Sequence, residues 1–527
     1  MVVANDPMVL YYPLAPASTR GSAGLVYDFV SPGLTLYDDT GRLRPILIDQ
    51  VPSLDNGLWQ LLPDGRMETT WRLRPGATWH DGAPFTADDL RFTLQVVQDS
   101  ALPAFANQTY SFIESATVMD PQTLVLDWNR PYIDADRAFT YLGTASFAVP
   151  MPKHLLEASY TANKAGFLDQ PYWSSAYVGL GPYKLDQWTP GSSMTLRAFD
   201  DYVLGRPKID EVDIHFISDP DAIVSNFLAG AADVFSGAAI GVDEGLELRD
   251  RWTDGTTNVI RFDWVAIYPQ FVDPQPAVVG NVHLRKALMY AIDRQAMADT
   301  LMHGLVPIAD SPLDPDAREF APTAASLVTY PYDPTRAIQL ISDLGYTRGA
   351  DGTFHDGAGQ PLAVEVRGAS SRAIQVKPLF PVAADWQQVG VAATPTVISA
   401  QQASDIKDQA TFQAFQLVRQ DYGLNRLISY TSSEARLPAR NYTGSNNGRY
   451  MSPELDALIG RYLVTVPWDE RMQVAGQILH QVTEQLAVMP LFYDMEIGLV
   501  SHRVQHATPL LAPTDSRAWN AQEWDIA

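Results

Sequence analysis

The chain has 527 residues, 46% of them apolar and 19% charged, a globular composition too long for one ordinary core. Its 61 acidic against 37 basic residues give a net charge of −24, which argues against nucleic acid and against an anionic membrane surface as partners. The absence of cysteine removes thiolate catalysis, disulfides and Cys-zinc sites, and no apolar run reaches the roughly 18 residues of a membrane-spanning helix.

Met67 to Leu73 alternates as a strand, and so does Thr123 to Trp128. Between them Thr86 caps a helix running from Ala87 to about Gln98, with Asp89 as its capping-box partner. Met194 to Ala198 and Val212 to Ile217 are further strands. Asp219-Pro220 opens a helix that points Ile223 and Phe227 inward and stops at Gly230. From Val282 to Met302, Leu284, Leu288, Ala291, Ile292 and Leu301 recur at helical spacing and predict one helix ended by Gly304. Asp333-Pro334 begins a short helix, Leu362 to Val366 is a strand, and Ser452-Pro453 starts another helix. A last amphipathic helix spans roughly Glu470 to Leu486. Strands alternating with helices make an α/β protein with mixed sheets.

Each chemical motif has a plain structural reading beside it. Gly179-Leu180-Gly181-Pro182-Tyr183 lacks the third glycine and the Gly-Lys-Ser/Thr of a phosphate loop, and Pro182 removes an amide donor, so a turn entering a strand is expected. Trp79-His80-Asp81-Gly82 and Phe354-His355-Asp356-Gly357 read as two Asp-Gly turns and not as a duplication. His502 and His506 fall in a strand-and-loop segment that would separate them, so no metal is expected. The acid pairs Asp38/Asp39, Asp88/Asp89 and Asp200/Asp201 sit at turns and helix starts, where carboxylates cap amides or stay hydrated, and no Gly-x-Ser-x-Gly elbow is present. Bond-breaking chemistry is therefore not expected, with no cofactor. Aromatics in polar stretches, namely Trp264, Tyr268 and Tyr422, are the candidates to line a ligand cleft.

The stretch from Trp71 to Asp89, Trp-Arg-Leu-Arg-Pro-Gly-Ala-Thr-Trp-His-Asp-Gly-Ala-Pro-Phe-Thr-Ala-Asp-Asp, resembles the signature of the family 5 extracellular solute-binding proteins, the peptide and nickel-complex binders of ABC importers. Further landmarks follow in the family's order: Val149 to His154, Gly179 to Tyr183, Gly205 to Val212, Gly230 to Asp233, Leu284 to Arg294, Tyr332-Asp333-Pro334 and Ser452 to Asp456. The resemblance implies an α/β, bilobed periplasmic-binding-protein-like fold of the large, three-subdomain type, with mixed sheets and a hinge between lobes. It implies a first lobe from 1–45, an inserted subdomain at 46–170, continuation of the first lobe at 171–264, a second lobe at 265–492 and a C-terminal return at 493–527. The implied function is capture of a peptide or peptide-like ligand between the lobes and delivery to ABC permease subunits, by a monomer that is periplasmic or anchored at the cell surface, its export signal absent from this sequence. An oligosaccharide, opine or metal chelate is the alternative ligand, and a glycoside hydrolase the remote alternative function. A receptor that signals without transport would share the same sequence features.

In oligopeptide binders a Trp-x-Ala-Asp-Tyr segment supplies an aspartate for the peptide α-ammonium. Here the matching segment is Val418-Arg419-Gln420-Asp421-Tyr422, so Asp421 and Tyr422 carry over while Val418 and Gln420 depart. Arg419 is placed either to neutralise the acid or to bind a ligand carboxylate. The expected ligand-binding set is Asp421, Tyr422, Arg419, Trp264 and Tyr268, with no catalytic or metal-binding residue.

Overall fold

A computed structural model of the protein describes all residues except 17–18, 141–147, 238, 371 and 508–516. The chain forms two compact units, Met1–Ile260 with Glu496–Ala527 and Arg261–Met495. It passes between them inside the strands Gly255–Pro269 and Met489–Ser501.

The first unit carries a mixed sheet in the order Met489–Ser501, Val234–Gly237, Val2–Val3, Glu211–Phe216, Ser193–Ala198 and Tyr183–Thr189. Val2–Val3 runs parallel to both of its neighbours. Behind it Ile223, Phe227, Phe235, Leu248 and Leu499 form a buried cluster, with the helix Pro220–Leu228 supplying two of them because Asp219 accepts the Ala222 amide and fixes its start.

A separate four-stranded antiparallel sheet in the same unit joins Trp59–Leu61, Met67–Arg72, Thr123–Trp128 and Ile113–Asp120. Its alternation buries Met67, Thr69 and Trp71 against Leu124, Leu126 and Trp128. Buried indoles need an acceptor, and Thr69 Oγ1 takes the N–H of both Trp71 and Trp128, at 3.1 and 3.0 Å. The helix Ala87–Val97 begins at Thr86 in a capping box closed by Asp89, whose carboxylate accepts the Thr86 amide at 2.9 Å.

Gly179 and Gly181 press against the last turn of the helix Arg20–Val30. A Cβ on Gly179 would lie 2.0 Å from the Val30 carbonyl oxygen, and one on Gly181 would lie 2.2 Å from that of Phe29. The amides of Leu180 and Gly181 donate to Val30 O at 3.1 and 2.9 Å, so this turn spends its N–H groups inside the chain.

In the second unit the sheet order is Ala392–Ile398, Ala363–Ala369, Phe415–Asp421, then the unit's parts of Gly255–Pro269 and Met489–Ser501. The stretch expected as a single helix from Val282 to Met302 is two, Val282–Ala291 and Arg294–Leu301. The break falls at Ile292 in an extended conformation, and Asp293 restarts the second helix by accepting the Ala296 amide. The helices Pro334–Asp343 and Pro453–Val464 start where Asp333 and Ser452 cap them. The last long helix is Trp468–Glu484. Among the described residues no helix is long and apolar enough to cross a membrane.

Candidate ligand-binding site

Two antiparallel strands of the second unit hold all but one of the expected ligand residues, and the remaining one follows directly. The Gly255–Pro269 and Phe415–Asp421 strands pair with Asp263 opposite Asp421, Trp264 opposite Gln420, Val265 opposite Arg419 and Tyr268 opposite Gln416. Opposed residues share a face of the pleat, so Asp263, Arg419 and Asp421 lie on one side and Trp264, Tyr268 and Gln420 on the other.

Trp264 and Tyr268 are therefore strand residues, 0% and 4% exposed, and not part of a polar loop. Their segment, Trp-Val-Ala-Ile-Tyr, is buried on both faces, and such strands read as continuous apolar runs without alternation. Asp421 ends its strand and does not sit in a loop.

On the charged face Arg419 lies between two carboxylates. Its Nη1 is 2.6 Å from Asp263 Oδ2, and its Nε donates to Asp494 of the neighbouring strand; all three side chains are less than a tenth exposed. Two like charges directly opposite, Asp263 and Asp421, would repel. Arg419 offsets the first, and Arg426 offsets the second by reaching Asp421 Oδ1 at 3.2 Å.

Tyr422 points elsewhere. Its hydroxyl meets Asp314 Oδ2 at 2.8 Å and the Arg261 carbonyl at 3.2 Å, while Arg261 pairs with the same Asp314. Burial first, then the Asp314 charge, pushes the Tyr422 hydroxyl far above the ordinary tyrosine range, so it stays a neutral donor. On the other face Gln420 donates to the Tyr268 hydroxyl, and its carbonyl accepts from Asn447 at 3.2 Å. Tyr268 also shares a hydrogen bond with Tyr430, the last residue of the 3-10 helix Leu424–Tyr430. Burial holds both hydroxyls well above the tyrosine range.

Among the described residues, five buried polar atoms of these elements have no hydrogen-bond partner: Thr257 Oγ1, Trp264 Nε1, Asp421 Oδ2, Arg426 Nε and Ser429 Oγ. Buried polar groups are nearly always satisfied, so Asp421 Oδ2 is an acceptor that a small polar ligand would complete, while Trp264 Nε1 lies on the opposite face of the sheet. Asp263, Asp494, Arg426 and Ser429 were not singled out from the sequence. A signal existed for Asp494, an acid inside the apolar run Leu491-Phe492-Tyr493-Asp494-Met495, since a buried acid needs a cation.

The acid pairs have local work. Asp38 accepts the amides of Thr40 and Arg42 and pairs with Arg44, Asp88 pairs with Arg91, Asp89 closes the capping box, and Asp200 pairs with Arg206. Among the described residues no group of three or more His, Asp or Glu side chains is arranged to hold a metal ion.

Residues 49–426, well over half the chain, match the model of bacterial extracellular solute-binding proteins, family 5 Middle. A Brucella ovis protein bearing the name ABC transporter peptide-binding protein is 27% identical over 333 residues; the match spans 63% of this chain and 57% of that protein. Two solved structures share the fold. NikZ from Campylobacter jejuni, in complex with Ni(L-His), has a TM-score of 0.76 at 20% identity and covers 99% of this chain and 98% of its own. The oligopeptide-binding protein AppA from Bacillus subtilis, in complex with a nonapeptide, has a TM-score of 0.72 at 17% identity over 100% and 98% of the two chains.

Proposed function

Because the chain belongs to family 5 of the bacterial extracellular solute-binding proteins, we propose that it is the extracytoplasmic capture component of an ABC importer, taking a peptide or peptide-like ligand and passing it to membrane permease subunits. It acts as a monomer, in the periplasm or anchored at the cell surface, and performs no catalysis. The observation that carries the reading is the part-buried, half-satisfied Asp421, with Oδ1 3.2 Å from Arg426 Nε and Oδ2 without a hydrogen-bond partner. A ligand ammonium supplies the missing donor as a charge-assisted hydrogen bond. Arg419 is held by Asp263 and Asp494 and not by the adjacent Asp421, which Arg426 reaches, and this favours a supporting role for it over that of a carboxylate anchor. Tyr268 and Tyr422 shape the wall by packing.

The test is mass spectrometry of the small molecules released when the natively purified protein is denatured. The reading expects a peptide or amine-bearing ligand recovered unchanged after prolonged incubation with the folded protein. Recovery of an oligosaccharide, opine or metal chelate would replace the ligand class, and conversion of the ligand by the protein would overturn the non-catalytic role.

A further inference from the structure

His80 lies partly buried in the Trp79-His80-Asp81-Gly82 turn. Its Nδ1 accepts the Gly179 amide at 3.1 Å, and its Nε2 lies 3.0 Å from the Gly181 carbonyl oxygen. An amide can only donate and a carbonyl can only accept, so this pair of contacts fixes one neutral tautomer, with the proton on Nε2. The His80 amide adds a third bond, to the Gly179 carbonyl at 3.0 Å.

We propose that His80 is an acid-releasable latch, whose neutral ring fastens the Gly179–Gly181 turn to the Trp79–Gly82 turn and whose protonation unfastens it. An imidazolium carries a proton on Nδ1, and that proton would face the Gly179 N–H, donor against donor. Gly179 and Gly181 lie close against the carbonyls of Val30 and Phe29, so the turn has little room on that side to relieve the clash.

The surroundings favour the closed, neutral form. The edge of the Phe199 ring packs on the imidazole at 5.1 Å between centroids. Lys184, from the Tyr183–Thr189 strand, opposes a second positive charge, while Asp81 and the Gly181 carbonyl favour one. Burial outweighs them and lowers the His80 pKa to about 4. The Asp81 carboxylate is itself engaged by His154 Nε2 at 2.8 Å and by the Ala83 amide at 3.1 Å. Burial raises the Asp81 pKa, but these hydrogen bonds outweigh it and hold the group below its ordinary value.

The experiment is nuclear magnetic resonance on the full chain with ring-labelled histidine and labelled glycine. The latch predicts the Nε2–H tautomer for His80 at neutral pH, titration well below the ordinary histidine value, and loss of Gly179 amide protection at the same midpoint. In His80→Gln, which offers a neutral acceptor and donor, Gly179 protection should no longer follow that midpoint. The wild-type titration decides the matter alone if the variant does not fold. An Nδ1–H tautomer, titration at the ordinary value, or Gly179 protection unchanged while His80 takes its proton would each overturn the latch.

Discussion

At the Gly179–Tyr183 turn of the first unit, the amides of Gly179, Leu180 and Gly181 are all bonded within the chain, to His80 and to Val30. At the end of the Phe415–Asp421 strand in the second unit, Asp421 keeps one oxygen without a partner, and Trp264 and Ser429 each keep a polar atom the same way. Both regions match landmarks of the same family, yet they do opposite things with their polar groups. The first spends them on holding backbone against backbone. The second leaves a few over, at a cost that a folded chain tolerates where a ligand can satisfy them. A departure from the family pattern follows the same line. Gln420 replaces an alanine beside the leftover atoms and bonds Tyr268 and Asn447, which alters the surface a ligand would meet.

The sharpest way to break this contrast is Arg419→Met. Removing the guanidinium leaves Asp263 and Asp494 buried together, and the expected loss is about 3–5 kcal/mol of stability in chemical denaturation. Adding Asp263→Asn and Asp494→Asn should restore most of it. A small effect of the single change would mean that the triad is not the support described here.

Gly181→Ala should cost roughly 1–3 kcal/mol or more, because the new methyl meets the Phe29 carbonyl and backbone must shift. Thermal melts would check it, and a neutral outcome would show that the turn is looser than its close contacts require.

The His80 latch gives the contrast a pH dependence. Its folded pKa of about 4 lies below the ordinary 6.5, so the unfolded chain takes the proton first. The contribution is whole above about 6.5 and declines as pH falls toward 4, by roughly 1–3 kcal/mol in total. Subtracting the stability of His80→Gln from that of the wild type at each pH isolates the slope, and a flat difference contradicts it.

How much of this was legible depended on distance along the chain. The helix starts at Asp219, Asp333 and Ser452 and the Thr86–Asp89 capping box are written within four residues of each start, and the structure has them there. The split at Asp293 was also local, but the apolar periodicity ran through it and hid the cap. Arg419 had two readings from sequence because its partners, Asp263 and Asp494, lie far off in the chain, and only strand pairing brings them together. The leftover atoms of Trp264 and Ser429 have no sequence signature at all, since a missing hydrogen bond is a property of the packed neighbourhood.

Thr86→Ala should cost about 0.5–2 kcal/mol through loss of the cap, with ligand affinity unchanged in the folded protein. Lost affinity at full stability would move the functional site to the wrong unit.

The most direct test of the central claim is titration calorimetry of Asp421→Asn against the ligand recovered from the native protein. The account predicts a folded variant with binding weakened by about 2–5 kcal/mol, since a desolvated ammonium loses its charged partner. Wild-type affinity in a normally folded variant would contradict it.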